Sequence, residues 1–153
     1  MVAEETVLSV DDVNRRLPLV RSIVQDIVSL HKDLSVRRDR LRSLRDRYPA
    51  AKSADSVYEQ EVLQMETELS KDEVRFAELE MELEQIGGQL SNAVSGTVDF
   101  PGEFDGDRVM FCWQIGEPEV MYLHSENCAP GNRHPLFEAT ETNGNSGLTG
   151  QSG

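Results

Sequence analysis

VDDVNRRLPLVRSIVQDIVSLHKDLSVRRDRLRSLRDRY, residues 10–48, is the stretch that decides the fold. Its seam positions recur in a strict 4,3 alternation: Val13, Leu17, Val20, Val24, Ile27, then His31, Leu34, Arg38, Leu41, Arg45 and Tyr48. That spacing keeps one stripe of a helix facing one partner over about five heptads. Ser9, with Asp12 three residues on, forms a capping-box pattern at the start, and Asp11 and Asp12 suit the positive end of the helix dipole. Pro18 is expected to kink the helix without ending it, because the alternation continues across it.

A second stripe with the same alternation follows: Tyr58, Val62, Met65, Leu69, Asp72, Phe76, Leu79, Leu83 and Ile86. Pro49 to Asp55 reads as the turn between the two helices, and Gly87-Gly88 as the stop of the second. Folding the chain at that turn pairs positions whose numbers sum to 103, such as Leu17 with Ile86, Val24 with Leu79 and Leu41 with Val62. The expected architecture is therefore an antiparallel helical hairpin over 9–88, with helices at about 10–48 and 56–87. In this register His31 meets Asp72, a layer polar on both sides and expected to be a buried, mutually satisfied pair.

Off the seam, Leu19, Ile23, Val28 and Leu30 gather near the base of the first helix, and Val74, Ala77 and Met81 near that of the second. Something is expected to cover that base while the tip projects outward. The covering is a β-module over 89–137, with strands at Gly96–Phe100, Arg108–Gln114 and Glu119–His124. A tight turn at Gly116-Glu117 would set Val109, Phe111, Trp113, Val120, Tyr122 and His124 on one face. Met110, Cys112, Gln114, Glu119, Met121 and Leu123 would take the other. Both faces are largely apolar, one for the helix base and one for a partner. The fold class is thus α+β, mostly α, a long two-helix hairpin with a small three-stranded antiparallel module. The polar, Gly-rich stretch 138–153 reads as a disordered tail.

The net charge of −13 disfavours nucleic acid and anionic membrane surfaces. It is unevenly spread: ten Lys/Arg against six Asp/Glu over 10–48, then ten Asp/Glu against two over 57–86. The Arg cluster from Arg37 to Arg47 would lie beside the acidic helix, so it reads as a face laced with ion pairs, and nucleic acid is not expected as a partner. No apolar run approaches a membrane span and no signal-peptide pattern opens the chain, which points to a cytoplasmic protein with no membrane association. Two cysteines, Cys112 and Cys128, agree with a reducing compartment.

The stretches TVLSVDDVNRRLPLVRSIV, TVDFPGEFDGDRVMFCWQIGEPEVMYLH and GNRHPL are similar to an uncharacterised bacterial family, domain of unknown function 2203, in order over residues 6–136. The most specific part is Val98–His124, with Asp99-Phe100-Pro101, Cys112-Trp113, Gly116-Glu117 and His124, followed by Arg133 and Pro135. The resemblance implies a fold and a candidate surface, and it brings no activity.

Two chemistries compete on these residues. Cys112, His124, Cys128 and His134 lack the close pairs of a structural zinc site, so no metal and no cofactor are expected. Asp99, Glu117, Glu119 and His124 form the other constellation, suited to a divalent cation or to acid and base roles. No phosphate loop or nucleophile motif accompanies them, which points away from an enzyme. The expected function is a non-enzymatic interaction or regulatory module, with a protein partner or a second copy docking on the β-module and rod. Its surface is expected at Asp99, Phe100, Pro101, Trp113, Gly116, Glu117, His124 and Arg133. The alternative is a small-ligand or divalent-metal-binding protein centred on Asp99, Glu117 and His124.

Overall fold

A computed structural model describes residues 7–47, 57–125 and 133–136. The turn at 49–55, Tyr48, Cys128 and the tail lie outside the described residues. Two long helices come first, α1 (Val10–Arg47) and α2 (Val57–Gln85). Five strands follow: β1 (Gln89–Asn92), β2 (Thr97–Phe104), β3 (Asp107–Gln114), β4 (Tyr122–Ser125) and β5 (His134–Pro135). The strands form one antiparallel sheet in chain order.

The capping box is formed. Ser9 N donates to Asp12 Oδ2 at 2.9 Å, and Asp12 N donates to Ser9 Oγ at 3.1 Å. These bonds hold the Asp12 carboxyl below its ordinary range. α1 runs unbroken through Pro18. α2 ends in a Schellman arrangement: Gly88 N donates to Leu83 O, Gly87 N to Glu84 O, and Gly87 takes φ +96°.

The seam is the one the alternation predicts. The buried helical residues are Val13, Leu17, Val20, Val24, Ile27, Leu34 and Leu41 on α1, with Ile23 beside them, and Val62, Leu79 and Leu83 on α2. At the two ends Arg16 Nη1 donates to Ile86 O and Tyr58 OH to Leu44 O, pairs whose numbers sum to 102, within one of the expected register. Beyond position 34 only Leu41 and Val62 are buried among the described helical residues up to 78. The distal rod is tied instead by the ion pairs Arg37–Asp72, Arg38–Glu73 and Arg45–Glu66.

The layer expected at His31 and Asp72 takes a different form. Asp72 is 42% exposed and accepts from Arg37, while the His31 ring lies 6.0 Å from Phe76. A long guanidinium reaches the carboxylate where the shorter imidazole does not, and neither seam residue is buried.

The inner face of the sheet closes the hairpin base. Trp113, Phe100, Phe111, Val98, Val109 and Val120 join Val13, Leu17, Val20, Val24 and Ile27 in one core with Leu79 and Leu83. Emptying one of the large aromatic positions typically costs about 3–5 kcal/mol. The cover lies on the α1 side: Ile23 is buried and Val28 and Leu30 pack on the core, but Leu19, Val74 and Met81 stay more than half exposed.

The module has five strands where three were expected. β2 runs through Pro101-Gly102, because β1 ends opposite Asp99 and leaves that stretch at an edge where a missing N–H breaks no ladder bond. Leu8 forms a parallel bridge to Gly102 there, and Glu103 N donates to Leu8 O. Asp105-Gly106, both at positive φ, make the two-residue turn into β3.

The largest difference is a one-residue shift between β3 and β4. Cys112 pairs with Tyr122 and Met110 with His124. Val120 is drawn into the core, its N donating to Asn14 Oδ1 at 2.8 Å, while Trp113 Nε1 donates to Glu117 O. The connection is thereby longer than a two-residue turn. Shifting the pairing by one exchanges the faces of β4. His124 and Tyr122 therefore share the outer face with Met110 and Cys112, and Leu123 points inward beside Phe111.

Candidate functional site

The outer face of the sheet carries a row of side chains aligned by the ladder: Asp99 on β2, Cys112 on β3 and Tyr122 on β4, in direct register. Thr97 and Gln114 form the next outward pair on one side, Pro101 and Met110 on the other. Chain parity decides which of the expected surface residues belong here. Asp99, Pro101 and His124 lie on the outer face, whereas Phe100 and Trp113 are wholly buried core residues and form no ligand surface. Gly116 stands in an exposed turn at φ +103°, where it lets Glu117 fold back onto Gln114.

Arg133, just before β5, organises the row. Its Nη2 donates to Glu117 Oε1 and Oε2, both at 2.9 Å, and to Cys112 O at 3.3 Å. Its Nε donates to Cys112 Sγ at 3.2 Å, and its guanidinium carbon lies 3.9 Å from the Tyr122 ring centroid. Glu117 also accepts from Gln114 N at 3.0 Å.

On the other side of Cys112, Asp99 is its direct partner in the β2–β3 ladder, and this carboxylate beside the thiol helps to hold the thiol protonated. Asp99 reaches across β3 to His124, with Oδ1 and Nε2 3.3 Å apart. His124 Nδ1 lies 3.0 Å from Ser125 O. A carbonyl oxygen only accepts, so the Ser125 contact is a hydrogen bond in the form of the ring that carries its hydrogen on Nδ1. Asp99 and His124 are both buried. Glu117, Arg133, Cys112, Asp99 and His124 thus make one continuous polar chain across the sheet.

Electrostatics sets what this chain can do. Burial pushes the Cys112 thiol up to about 11, although Arg133 pulls the other way. A thiol held that high is neutral at pH 7 and is no nucleophile. Burial lowers Arg133, but the bonds to Glu117 and Cys112 outweigh it and hold the guanidinium above its ordinary value. Among the described residues no group of three or more His, Cys, Asp and Glu side chains is placed to hold a metal ion. Glu117 is committed to Arg133 and Glu119 is exposed, so the carboxylate constellation divides: Asp99 and His124 on one side, Glu117 on the other.

Beside the polar chain lies a cleft of about 250 Å³ lined by Asp99, Cys112, Gln114, Thr97, Arg133 and the β1–β2 connection from Ser91 to Ser95. Cys112, Tyr122, Thr97 and Gln114 are the members that sequence reasoning did not place in the site. Their signal was parity on β2 and β3: Thr97, Asp99, Cys112 and Gln114 are every second residue of two strands that pair in register.

A helical hairpin roofed by a five-stranded sheet, with a polar chain and cleft on the sheet's outer face, defines an α+β protein, mostly α. The chain belongs to the family described as uncharacterized conserved protein DUF2203, which matches residues 7–136. No curated protein and no solved structure matches it. No described helix is long and apolar enough to cross a membrane.

Proposed function

We propose that this protein binds a small polar molecule in the cleft on the outer face of its sheet. One observation carries the reading: Asp99 and Arg133, two charged groups from distant parts of the chain, are pre-positioned by partners behind them along one cleft wall. Groups held this way lose little freedom on binding a ligand. The unreactive thiol and the dispersed carboxylates favour binding over thiol or metal chemistry. Titrating the ¹⁵N-labelled protein with amino acids, polyols and nucleosides tests the proposal. Amide shifts should concentrate at Thr97, Cys112, Gln114 and Arg133; a panel that leaves all four unmoved would remove it.

A second reading, docking of a protein partner, is favoured by α2. Leu63, Thr67, Ser70, Val74, Ala77 and Met81 continue a 4,3 stripe on its outer side, and all six are exposed. Mass measurement by light scattering is its test, with Val74→Glu as the variant that should return any assembly to a single chain.

A further inference from the structure

The chemistry of the cleft goes further than polarity. Both charged groups on its wall have a partner behind them: Arg133 is held by Glu117, and Asp99 faces His124 at 3.3 Å. The wall thus offers one guanidinium and one carboxylate, which suits a ligand that carries both charges over a simple anion or cation.

The two pairs are nevertheless not in contact with each other. Cys112 stands between them: its Sγ accepts from Arg133 Nε, and the residue pairs directly with Asp99 in the β2–β3 ladder. A positive and a negative group are thus separated by one residue of β3. Arg133 Nη1 has no hydrogen-bond partner among the described residues, so the positive group retains donors. Asp99 borders the same cleft.

We infer that the ligand is a zwitterion of amino-acid size, its carboxylate on Arg133 and its ammonium on Asp99, an inference that rests on the cleft being a binding site. An α-amino acid holds those groups roughly 3 Å apart, and one hydrogen bond at each end extends its reach to about 8 Å. Thr97 and Gln114 on the floor supply a hydroxyl and an amide for a polar side chain. The volume of about 250 Å³ accommodates a small amino acid.

The test is calorimetry and ¹⁵N titration of the full chain with L-alanine, L-serine and L-glutamine. The counterparts are lactate, which replaces the ammonium by a hydroxyl, alaninamide, which removes the carboxylate charge, and erythritol, which has neither. At least one zwitterion is expected to bind tenfold or more tightly than lactate and alaninamide. Asp99→Asn should narrow the alanine-to-lactate ratio to less than threefold. Thr97→Val, at the floor, should weaken all ligands without changing that ratio, which keeps the test open if Asp99→Asn unfolds. Binding of erythritol, lactate or alaninamide as tight as that of the amino acids would overturn the zwitterion and leave the cleft standing. Silence from the whole panel at Thr97, Cys112, Gln114 and Arg133 would overturn both.

Discussion

Arg133 lies over Tyr122, its guanidinium carbon 3.9 Å from the ring centroid, while the same guanidinium holds Glu117. One side chain therefore joins the β3–β4 connection, β3 and β4, and its loss releases three partners at once. Arg133→Met should destabilise the fold by about 2–4 kcal/mol, a little under the roughly 3–5 of a fully buried pair because both side chains keep some exposure. Arg133→Lys keeps the charge but not the fork or the stack, and should cost about 1–2 kcal/mol. Urea denaturation followed by circular dichroism measures both, and a loss below 0.5 kcal/mol for Arg133→Met would show that the network is not part of the folded state's stability.

Cys112 should resist alkylation. With its thiol at about 11 and Cys128 replaced by Ser, iodoacetamide at pH 8 should modify the native protein far more slowly than the urea-unfolded chain. The sign of the linked stability follows. The folded pKa lies above the unfolded 9.0, so the contribution is complete below pH 9 and is lost as pH rises from there through 11. The loss is about 2–3 kcal/mol at 1.4 per unit. Comparing Cys112→Ala with its parent at pH 8 and pH 11 isolates it, since the variant lacks this thiol's part of the slope.

Glycines in the sheet separate steric need from backbone need. A Cβ on Gly102 would lie 2.3 Å from the carbonyl oxygen of Leu8 and 2.6 Å from the Phe111 ring, so Gly102→Ala must push the N-terminal segment off β2. A loss of about 2–4 kcal/mol is expected, as for severe overpacking. Gly106 has positive φ and nothing within 4 Å. Gly106→Ala should cost only about 1 kcal/mol, the strain of that backbone region alone. Thermal melts of the two variants side by side check the ordering.

Ser9→Ala removes one half of the capping box and should cost about 1 kcal/mol. Asp12, the other half, has a lowered pKa, so its contribution is complete above 3.8 and fades as pH falls. Wild type and Asp12→Asn should therefore converge in stability toward pH 2, measurable by urea titration at each pH.

The hairpin was legible because a 4,3 spacing admits one stripe, and Leu17, Val24, Leu41 and Leu83 could not be placed otherwise without exposing them. His31 was misleading: seam position marked it as buried, but the distal rod has too little packed around it to bury any polar layer. The site was half legible. Asp99, Glu117, His124 and Arg133 were visible as residue types, yet the face they share depends on a loop whose shape is set by Asn14, 106 positions away. No local pattern encodes that contact. β1 is too polar to show alternation, and β5 is two residues long, so neither left a signal.

Cys112 and Trp113 are neighbours on β3, one in the polar chain and the other at the centre of the core. This alternation makes the protein's tolerance of insertions sharply uneven. A whole heptad added to both arms of the rod would lengthen it and leave the sheet untouched. A single residue added to or removed from the stretch 115–121 would reverse the parity of β4, carrying His124 toward the hydrophobic side and Leu123 into the open. Length variants at the two places should thus have opposite fates. The rod can drift in evolution, whereas the nine residues between Cys112 and Tyr122 behave as a reading frame.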